Sequence, residues 1–371
     1  MGDWPYAHTR GKNTMPIVEN NSKTRTDVTV SILMMTYNHH EYIGKAIDGA
    51  LEQKTDFPYR LIIHDDASPD GTGDIIREYA DHHPDVIVPL IERENQYSQG
   101  KIGGFDLLTL LKDSTYLAIC EGDDFWCDPD KLQKQVDYMN AHPECSYCFS
   151  NAYDVDSHGT VIRERINAAS SRTFTPEEII QGFDDFPATA SVLVRTRDFL
   201  TVPMELMTAG QVGDEPLRNY LMTKGNAYCF ADKTCCYRVL TPGSWTSRFK
   251  EDLTFSLSQD KAICDYYKRF DAYSEGRFHA ILVGKYKKHD CVSCLRSLDL
   301  RKLKTLYKEF YRKCSFIVRL IITIKYYCPP INMAIRYVHY GREKGMKGYH
   351  AQHNFFKDLG HPMQVDPWLL S

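Results

Sequence analysis

The run Leu117-Ala118-Ile119-Cys120, followed by Glu121-Gly122-Asp123-Asp124-Phe125-Trp126, constrains the fold more than any other stretch. An apolar segment that stops abruptly at three carboxylates reads as a buried strand. Its acids then stand at the carboxyl end, where open α/β sheets hold their ligands. Carboxylates this close repel one another. A hard divalent cation such as Mg²⁺ or Mn²⁺ relieves the repulsion and shares its other positions with substrate phosphates. The alternative is an acidic turn capping a helix, because Asp128-Pro129-Asp130 and the helical stretch Lys131 to Asn140 come next and acids are favoured near helix starts.

The segments around this run alternate in period. Val28 to Met35 is β-branched and apolar and stops at Thr36-Tyr37-Asn38, and His40 to Gln53 then carries Ile43, Ala46, Ile47, Ala50 and Leu51 at helical spacing. Tyr59 to His64 is a second strand ending in Asp65-Asp66-Ala67-Ser68-Pro69-Asp70-Gly71-Thr72, with a helix over Asp74 to Ala80 and a third strand over Val86 to Ile91. Such alternation predicts a parallel sheet with right-handed crossovers, so the acids at 65–66 and 121–124 lie at one edge. The first pair suits a nucleotide's ring and ribose and the second a metal-bound diphosphate, although an ordinary Asx turn also accounts for Asp65-Asp66. No GxGxxG follows the first strand and no GxxxxGK[ST] occurs, so neither a dinucleotide fold nor a P-loop is supported. Arg93 to Gly104 is a Gly-rich loop with two cations, Arg93 and Lys101. It is either a flap that contacts phosphate or a plain connection.

Further on, Cys145 to Phe149 reads as a strand, Asp184 to Val194 leads into one more, and Gly213-Asp214-Glu215-Pro216-Leu217 opens a segment with Leu217, Tyr220 and Leu221 at helical spacing. The acidic pair either caps that helix or places a general base on a rigid element, aimed at an acceptor hydroxyl.

With 371 residues the chain has room for a large α/β domain and a smaller part behind it. The polar residues 1–26 read as a flexible tail, 27–250 as the α/β domain and 251–371 as a helical extension. The net charge of −4 conceals an asymmetry: 301–347 holds twelve Lys and Arg against Glu309 and Glu343, a net +10, which leaves −14 for the remainder. So acidic a remainder argues against nucleic acid as a partner. Twelve cysteines in a chain opening without an apolar leader point to reduced thiols and a cytoplasmic setting. Cys145 and Cys148 have zinc-like spacing, but three residues apart on a strand they should face opposite ways.

Taken together, Thr36-Tyr37-Asn38, Asp65 to Thr72, Glu121 to Trp126 and Gly213 to Leu217 resemble, in order and spacing, a family 2 glycosyltransferase of the GT-A fold over roughly residues 28 to 248. The resemblance implies a mainly parallel α/β sheet flanked by helices, and transfer from a nucleotide-sugar donor, UDP-linked, with inversion. The acceptor would be a hydroxyl of a glycan or lipid-linked molecule in surface polysaccharide synthesis. It implies nucleotide contacts from Thr36, Tyr37, Asn38, Asp65, Asp66, Arg93 and Asp123. Asp123 and Asp124, preceded by Glu121, would hold a divalent metal, Mg or Mn. Asp214 matches the family's Gly-Asp-x-Pro-Leu base, with Glu215 as the fallback, and Tyr237-Arg238 and Ser244 to Arg248 resemble the segment that closes over the donor phosphates. The His often found after that Tyr-Arg pair is missing; Val239 stands there. A different class, a sugar-nucleotide-binding scaffold that has lost turnover, shares the donor motifs. A nucleotidyltransferase would need a Gly- and Lys-rich phosphate loop after the first strand, and Thr36 to Glu41 has none.

Between 301 and 328, Leu303, Leu306, Phe310, Cys314, Ile317, Ile321, Ile324 and Cys328 recur at steps of three or four amid basic residues. This pattern fits a helix lying on an anionic membrane surface, or one packed on the catalytic domain. Phe316 to Ile324, broken by Arg319, is too short to cross a bilayer.

Overall fold

The apolar runs line up as neighbours in one sheet. The computed structural model describes residues 17–18, 28–99, 109–183, 185–207, 213–239, 248–249, 252–297, 308 and 312. Its eleven strands are β1 (Ile17–Val18), β2 (Val30–Thr36), β3 (Tyr59–Asp65), β4 (Ile87–Ile91), β5 (Tyr116–Ile119), β6 (Phe125–Trp126), β7 (Cys145–Val155), β8 (Val161–Arg165), β9 (Arg172–Phe174), β10 (Leu193–Arg195) and β11 (Asn226–Arg238). The order is β1-β4-β3-β2-β5-β10-β7-β11-β6, with β8 on β7 and β9 on β11. The β1 pairing, Ile17 with Ile91, is antiparallel and lies within the stretch read as a tail.

The expected parallel block is β4-β3-β2-β5. It is built by α1 (Ile43–Leu51) after β2 and α2 (Thr72–His82) after β3. Every residue of β4 is buried, and only Tyr59 of β3 and Met35 of β2 are less than fully so. That is the two-sided burial of a central parallel strand. Thr36 stands opposite Asp65, and Asp65 opposite Ile91, so three strand ends are level. Beyond β5 the sheet is mixed, because β10 runs antiparallel to both β5 and β7 while β11 runs parallel to β7.

The carboxylates after β5 do not cap a helix. They lead into β6, which pairs antiparallel with the end of β11, Phe125 opposite Cys236, and α3 (Lys131–Ala141) starts only later. β6 lies so close to α1 that a Cβ on Gly49 would sit 2.7 Å from the Trp126 carbonyl oxygen.

The expectation for Cys145 and Cys148 is corrected. Cys145 pairs with Asn226 and Tyr147 with Ala227, so Ser146 is an extra residue in β7, and a bulge of this kind reverses the alternation. Both cysteines therefore join one buried cluster. The ten cysteines of the described residues are free thiols, nine of them buried. Three of these (Cys120, Cys148 and Cys235) lie near the buried Lys131, whose amine burial lowers to about 8.

The chain divides into two units. The sheet unit comprises the described residues up to Phe174 with Pro187–Thr201 and Lys224–Arg238, including α5 (Thr196–Phe199). The second unit contains α4 (Pro176–Gln181), α6 (Met204–Met207), α7 (Asp214–Leu221), α8 (Leu253–Tyr273) and α9 (His279–Ser297). Here Phe270 of α8 stacks on Phe278, the residue before α9, with ring centroids 6.0 Å apart. No helix among the described residues is long and apolar enough to cross a membrane. The basic stretch 301–347 lies outside the described residues apart from Lys308 and Arg312.

Candidate active site

The loops after β2 and β3 are locked together by three successive main-chain donors. Asn38 N–H donates to Ser68 Oγ (2.9 Å), His39 N–H to Thr72 Oγ1 (3.0 Å) and His40 N–H to Asp70 Oδ2 (3.1 Å). Asn38 adopts φ 58°, a left-handed conformation that asparagine tolerates better than most residues. Burial works against the Asp70 anion, yet donors from Thr72 and His40 outweigh it and hold its carboxyl below the ordinary value. Asp65 forms the Asx-type turn that its sequence allowed, accepting from Ser68 N–H (3.3 Å) and from the Ser68 hydroxyl. Burial nevertheless pushes its carboxyl up. Tyr37 stands on this edge with 44% of its surface exposed.

Asp66 is an anchor. Its two carboxylate oxygens accept from Gln96 N–H (2.6 Å) and Tyr97 N–H (3.0 Å), and its carbonyl accepts from Asn95 Nδ2 (3.1 Å). The first half of the Arg93–Gly104 loop is thereby bound to the end of β3 and leaves Arg93 exposed. Positions 100–108 lie outside the described residues.

The acidic turn closes on the end of β11. Gly122 N–H donates to Met35 O (2.9 Å) and Asp124 N–H to Glu121 O (3.1 Å). A side chain at Gly122 would meet Thr36 Oγ1 at 2.7 Å, so glycine is what lets the turn lie against β2. Asp124 is buried, its Oδ1 accepting from Arg238 N–H (2.7 Å) and its Oδ2 having no hydrogen-bond partner among the described residues. Burial, with Asp123 and Glu121 beside it, raises its carboxyl well above the ordinary value. Arg238 is a brace: Nε donates to Asp123 O (2.8 Å), Nη1 to Asp156 O (2.6 Å) and Ser157 O (3.0 Å), and its guanidinium lies 4.2 Å from the Tyr42 ring. His39 reaches to 4.0 Å from Asp123 Oδ2, and burial lowers its imidazole below the ordinary value despite that acid. Sequence reading missed His39; its adjacency to Thr36-Tyr37-Asn38 was the available signal.

Asp214 and Glu215 open α7 in the second unit. Glu215 N–H donates to Asp214 Oδ1 (2.7 Å), and burial raises the Asp214 carboxyl above the ordinary value. Burial also works against Glu215, but Lys285 and Arg218 overcome it and hold its carboxyl at about 2. Arg248 is exposed, its guanidinium 4.2 Å from the Phe255 ring, and residues 244–247 lie outside the described residues.

The sheet edge thus gathers Thr36, Tyr37, Asn38, Asp65, Asp66, Glu121, Asp123, Asp124 and Arg238, whereas Asp214, Glu215 and Arg248 belong to the second unit. Among the described residues no group of three His, Cys, Asp or Glu side chains is gathered closely enough to hold a metal unaided. Asp123 and Asp124 nonetheless fit a hard cation, since Asp124 Oδ2 is a buried carboxylate oxygen without a hydrogen-bond partner among those residues and Mg²⁺ is usually held by one or two carboxylates plus phosphate oxygens.

Residues 31–194 match glycosyl transferase family 2. This segment, with acids at the carboxyl edge of a parallel block, is similar to a glycosyl transferase family 2 domain. An uncharacterized protein of Mycobacterium tuberculosis is 33% identical over 232 residues, 61% of this chain and 63% of that protein. WfaP of Escherichia coli, a UDP-Glc:alpha-D-GlcNAc-diphosphoundecaprenol beta-1,3-glucosyltransferase, is 30% identical over 124 residues, 33% of this chain and 46% of its own length. The chain therefore spans less than two thirds of either relative. Among solved structures, residues 1-349 of S. aureus TarS in complex with UDP-GlcNAc align at 13% identity and a TM-score of 0.47, covering 78% of this chain and 77% of that one.

Proposed function

We propose that this protein is an inverting, metal-dependent glycosyltransferase that moves a sugar from a UDP-linked donor to a hydroxyl of a glycan or lipid-linked acceptor in surface polysaccharide synthesis. The observation that carries the reading is the buried Asp124 Oδ2 beside Asp123, which has no hydrogen-bond partner among the described residues, at the edge that also holds Asp65 and Asp66. The donor and acceptor classes follow the activity in the name of WfaP.

In this reading the exposed ring of Tyr37 stacks on the base, Asp65 and Asp66 face the ribose and Arg93 approaches the phosphates. Asp123 and Asp124 would hold Mg²⁺ or Mn²⁺, which when bound neutralises charge gathering on the departing diphosphate. Asp214 takes the proton from the acceptor hydroxyl as its oxygen attacks the anomeric carbon. A carboxyl raised by burial is a stronger base than an ordinary aspartate. Attack opposite the leaving group inverts the centre without a covalent enzyme intermediate. The basic stretch 301–347 would hold the protein at the inner, anionic membrane surface, where a lipid-linked acceptor resides.

A thermal-shift panel of nucleoside diphosphates and nucleotide sugars, each with and without Mn²⁺, tests the donor site. Metal-dependent stabilisation by a uridine nucleotide that Asp123→Ala/Asp124→Ala abolishes is the expected result. Folded protein that responds to no nucleotide sinks the proposal. For the membrane surface, loss of binding to anionic liposomes on deleting 301–347 is expected, and unchanged binding refutes that part.

A further inference from the structure

The carboxylate of α7 that its neighbours neutralise is not the proposed base but the residue after it. Lys285 Nζ, from α9, donates to Glu215 Oε1 at 2.6 Å and to the Ile180 carbonyl of α4 at 3.0 Å. The Tyr267 hydroxyl, from α8, donates to the same carboxylate, 3.1 Å from Oε1 and 3.3 Å from Oε2. Arg218, one turn along α7, stands 3.8 Å from Oε1. Lys285 and Glu215 keep only 13% and 16% of their side-chain surface exposed, so water screens the pair little. An anion so thoroughly neutralised has little affinity for a proton and makes a poor general base.

We propose that Glu215 is a positioning residue: clamped by Lys285 and Tyr267, it fixes the first turn of α7 and presents its own N–H to Asp214, so that the C-terminal helices orient the base. This rests on the reading of Asp214 as that base. The clamp acts in two ways. It sets the main-chain donor 2.7 Å from Asp214 Oδ1, and it cancels a negative charge one residue away from an acid that must ionise to act. The charged or titratable groups facing Glu215 are Arg218 on its own helix, Tyr266 and Tyr267 on α8, and Lys285 and His289 on α9. From α4 the neighbour is the Ile180 carbonyl, and from α6 the Met207 methyl group lies beside Gly213.

The test is the titration of Asp214 in the full chain. It is read by carbon NMR of aspartate-labelled protein, with the resonance assigned through Asp214→Asn. Lys285→Met strips the Glu215 charge of its nearest cation and should move the Asp214 midpoint up by on the order of 1 unit, whereas Glu215→Gln removes that charge and should move it down. Tyr267→Phe should follow Lys285→Met with a smaller shift, and Lys285→Arg should return the midpoint towards the wild-type value. Where a nucleotide sugar is turned over, Lys285→Met should lower kcat about 100-fold with donor KM within about 2-fold. An Asp214 midpoint that stays put in Lys285→Met, Glu215→Gln and Tyr267→Phe, each folded by circular dichroism, overturns the proposal. A wild type that turns over no nucleotide sugar, yet shows the opposed shifts, leaves the coupling standing and brings down the enzymatic reading instead.

Discussion

Asp124 Oδ1 accepts a hydrogen bond of 2.7 Å from the main-chain N–H of Arg238, 114 residues further along the chain. This bond joins the acidic turn after β5 to the end of β11. It leaves Asp124 Oδ2 as the oxygen without a hydrogen-bond partner among the described residues.

Asp124→Asn keeps an oxygen for the Arg238 N–H and removes the buried charge. Burying a carboxylate without full compensation costs stability. The variant should therefore melt at or above the wild-type temperature without ligand, while Mn²⁺-dependent stabilisation by uridine nucleotides disappears. A melt several degrees lower would mean that the charge supports the fold, contrary to this account.

Arg238→Ala strips three main-chain carbonyls of a charged donor and removes the contact with Tyr42. The expected loss is about 3 kcal/mol, measured by chemical denaturation. Nucleotide binding should weaken as well, because the turn that carries Asp123 loses its brace.

For Asp66, replacement by Ala takes away the acceptors of the Gln96 and Tyr97 amides. These two amides should exchange with solvent faster than in the wild type, at a stability cost of about 1 to 3 kcal/mol. Amide hydrogen exchange resolved at 95–99 measures this directly, and unchanged protection there would rule out the anchoring role.

The Glu215 ion pair sets an acid limit on stability. Its carboxyl titrates at about 2 in the fold against 4.5 for an ordinary glutamate. The contribution is fully present above about pH 4.5 and is lost as pH falls towards 2, amounting to on the order of 3 kcal/mol. Thermal melts between pH 2 and 6 should show this loss in the wild type and a flatter profile in Glu215→Gln.

Gly122→Ala places a methyl group 2.7 Å from Thr36 Oγ1 and 2.8 Å from Thr36 Cβ. The acidic turn and β2 must separate, and overpacking of this kind costs about 1 to 3 kcal/mol. Nucleotide binding should fall together with the melting temperature.

Much of the sheet was legible because buried parallel strands announce themselves as short β-branched runs and their crossovers as helical spacing. The predicted strand Tyr59 to His64 is β3, the strand Val86 to Ile91 is β4 and the helix from Lys131 is α3, each within a residue or two. Legibility failed where the answer depends on a partner far along the chain. The capping reading of 121–124 had no way to anticipate β6, a two-residue strand that exists only because β11 is beside it. Cys145 and Cys148 share a face because of a bulge defined by pairing with Asn226 and Ala227.

The order of strands and helices, and the acids at the strand ends, were determined by the sequence itself. Both follow from local periodicity and from the abrupt stop of apolar runs, which the backbone reads over a few residues. The roles within those motifs were decided by tertiary structure. Asp66 binds a loop, Arg238 braces a turn, His39 joins Asp123, and Glu215 rather than Asp214 meets Lys285 and Tyr267. Burial and the identity of the opposing group set what a carboxylate can do, and both are properties of residues brought together from 30 to 115 positions apart.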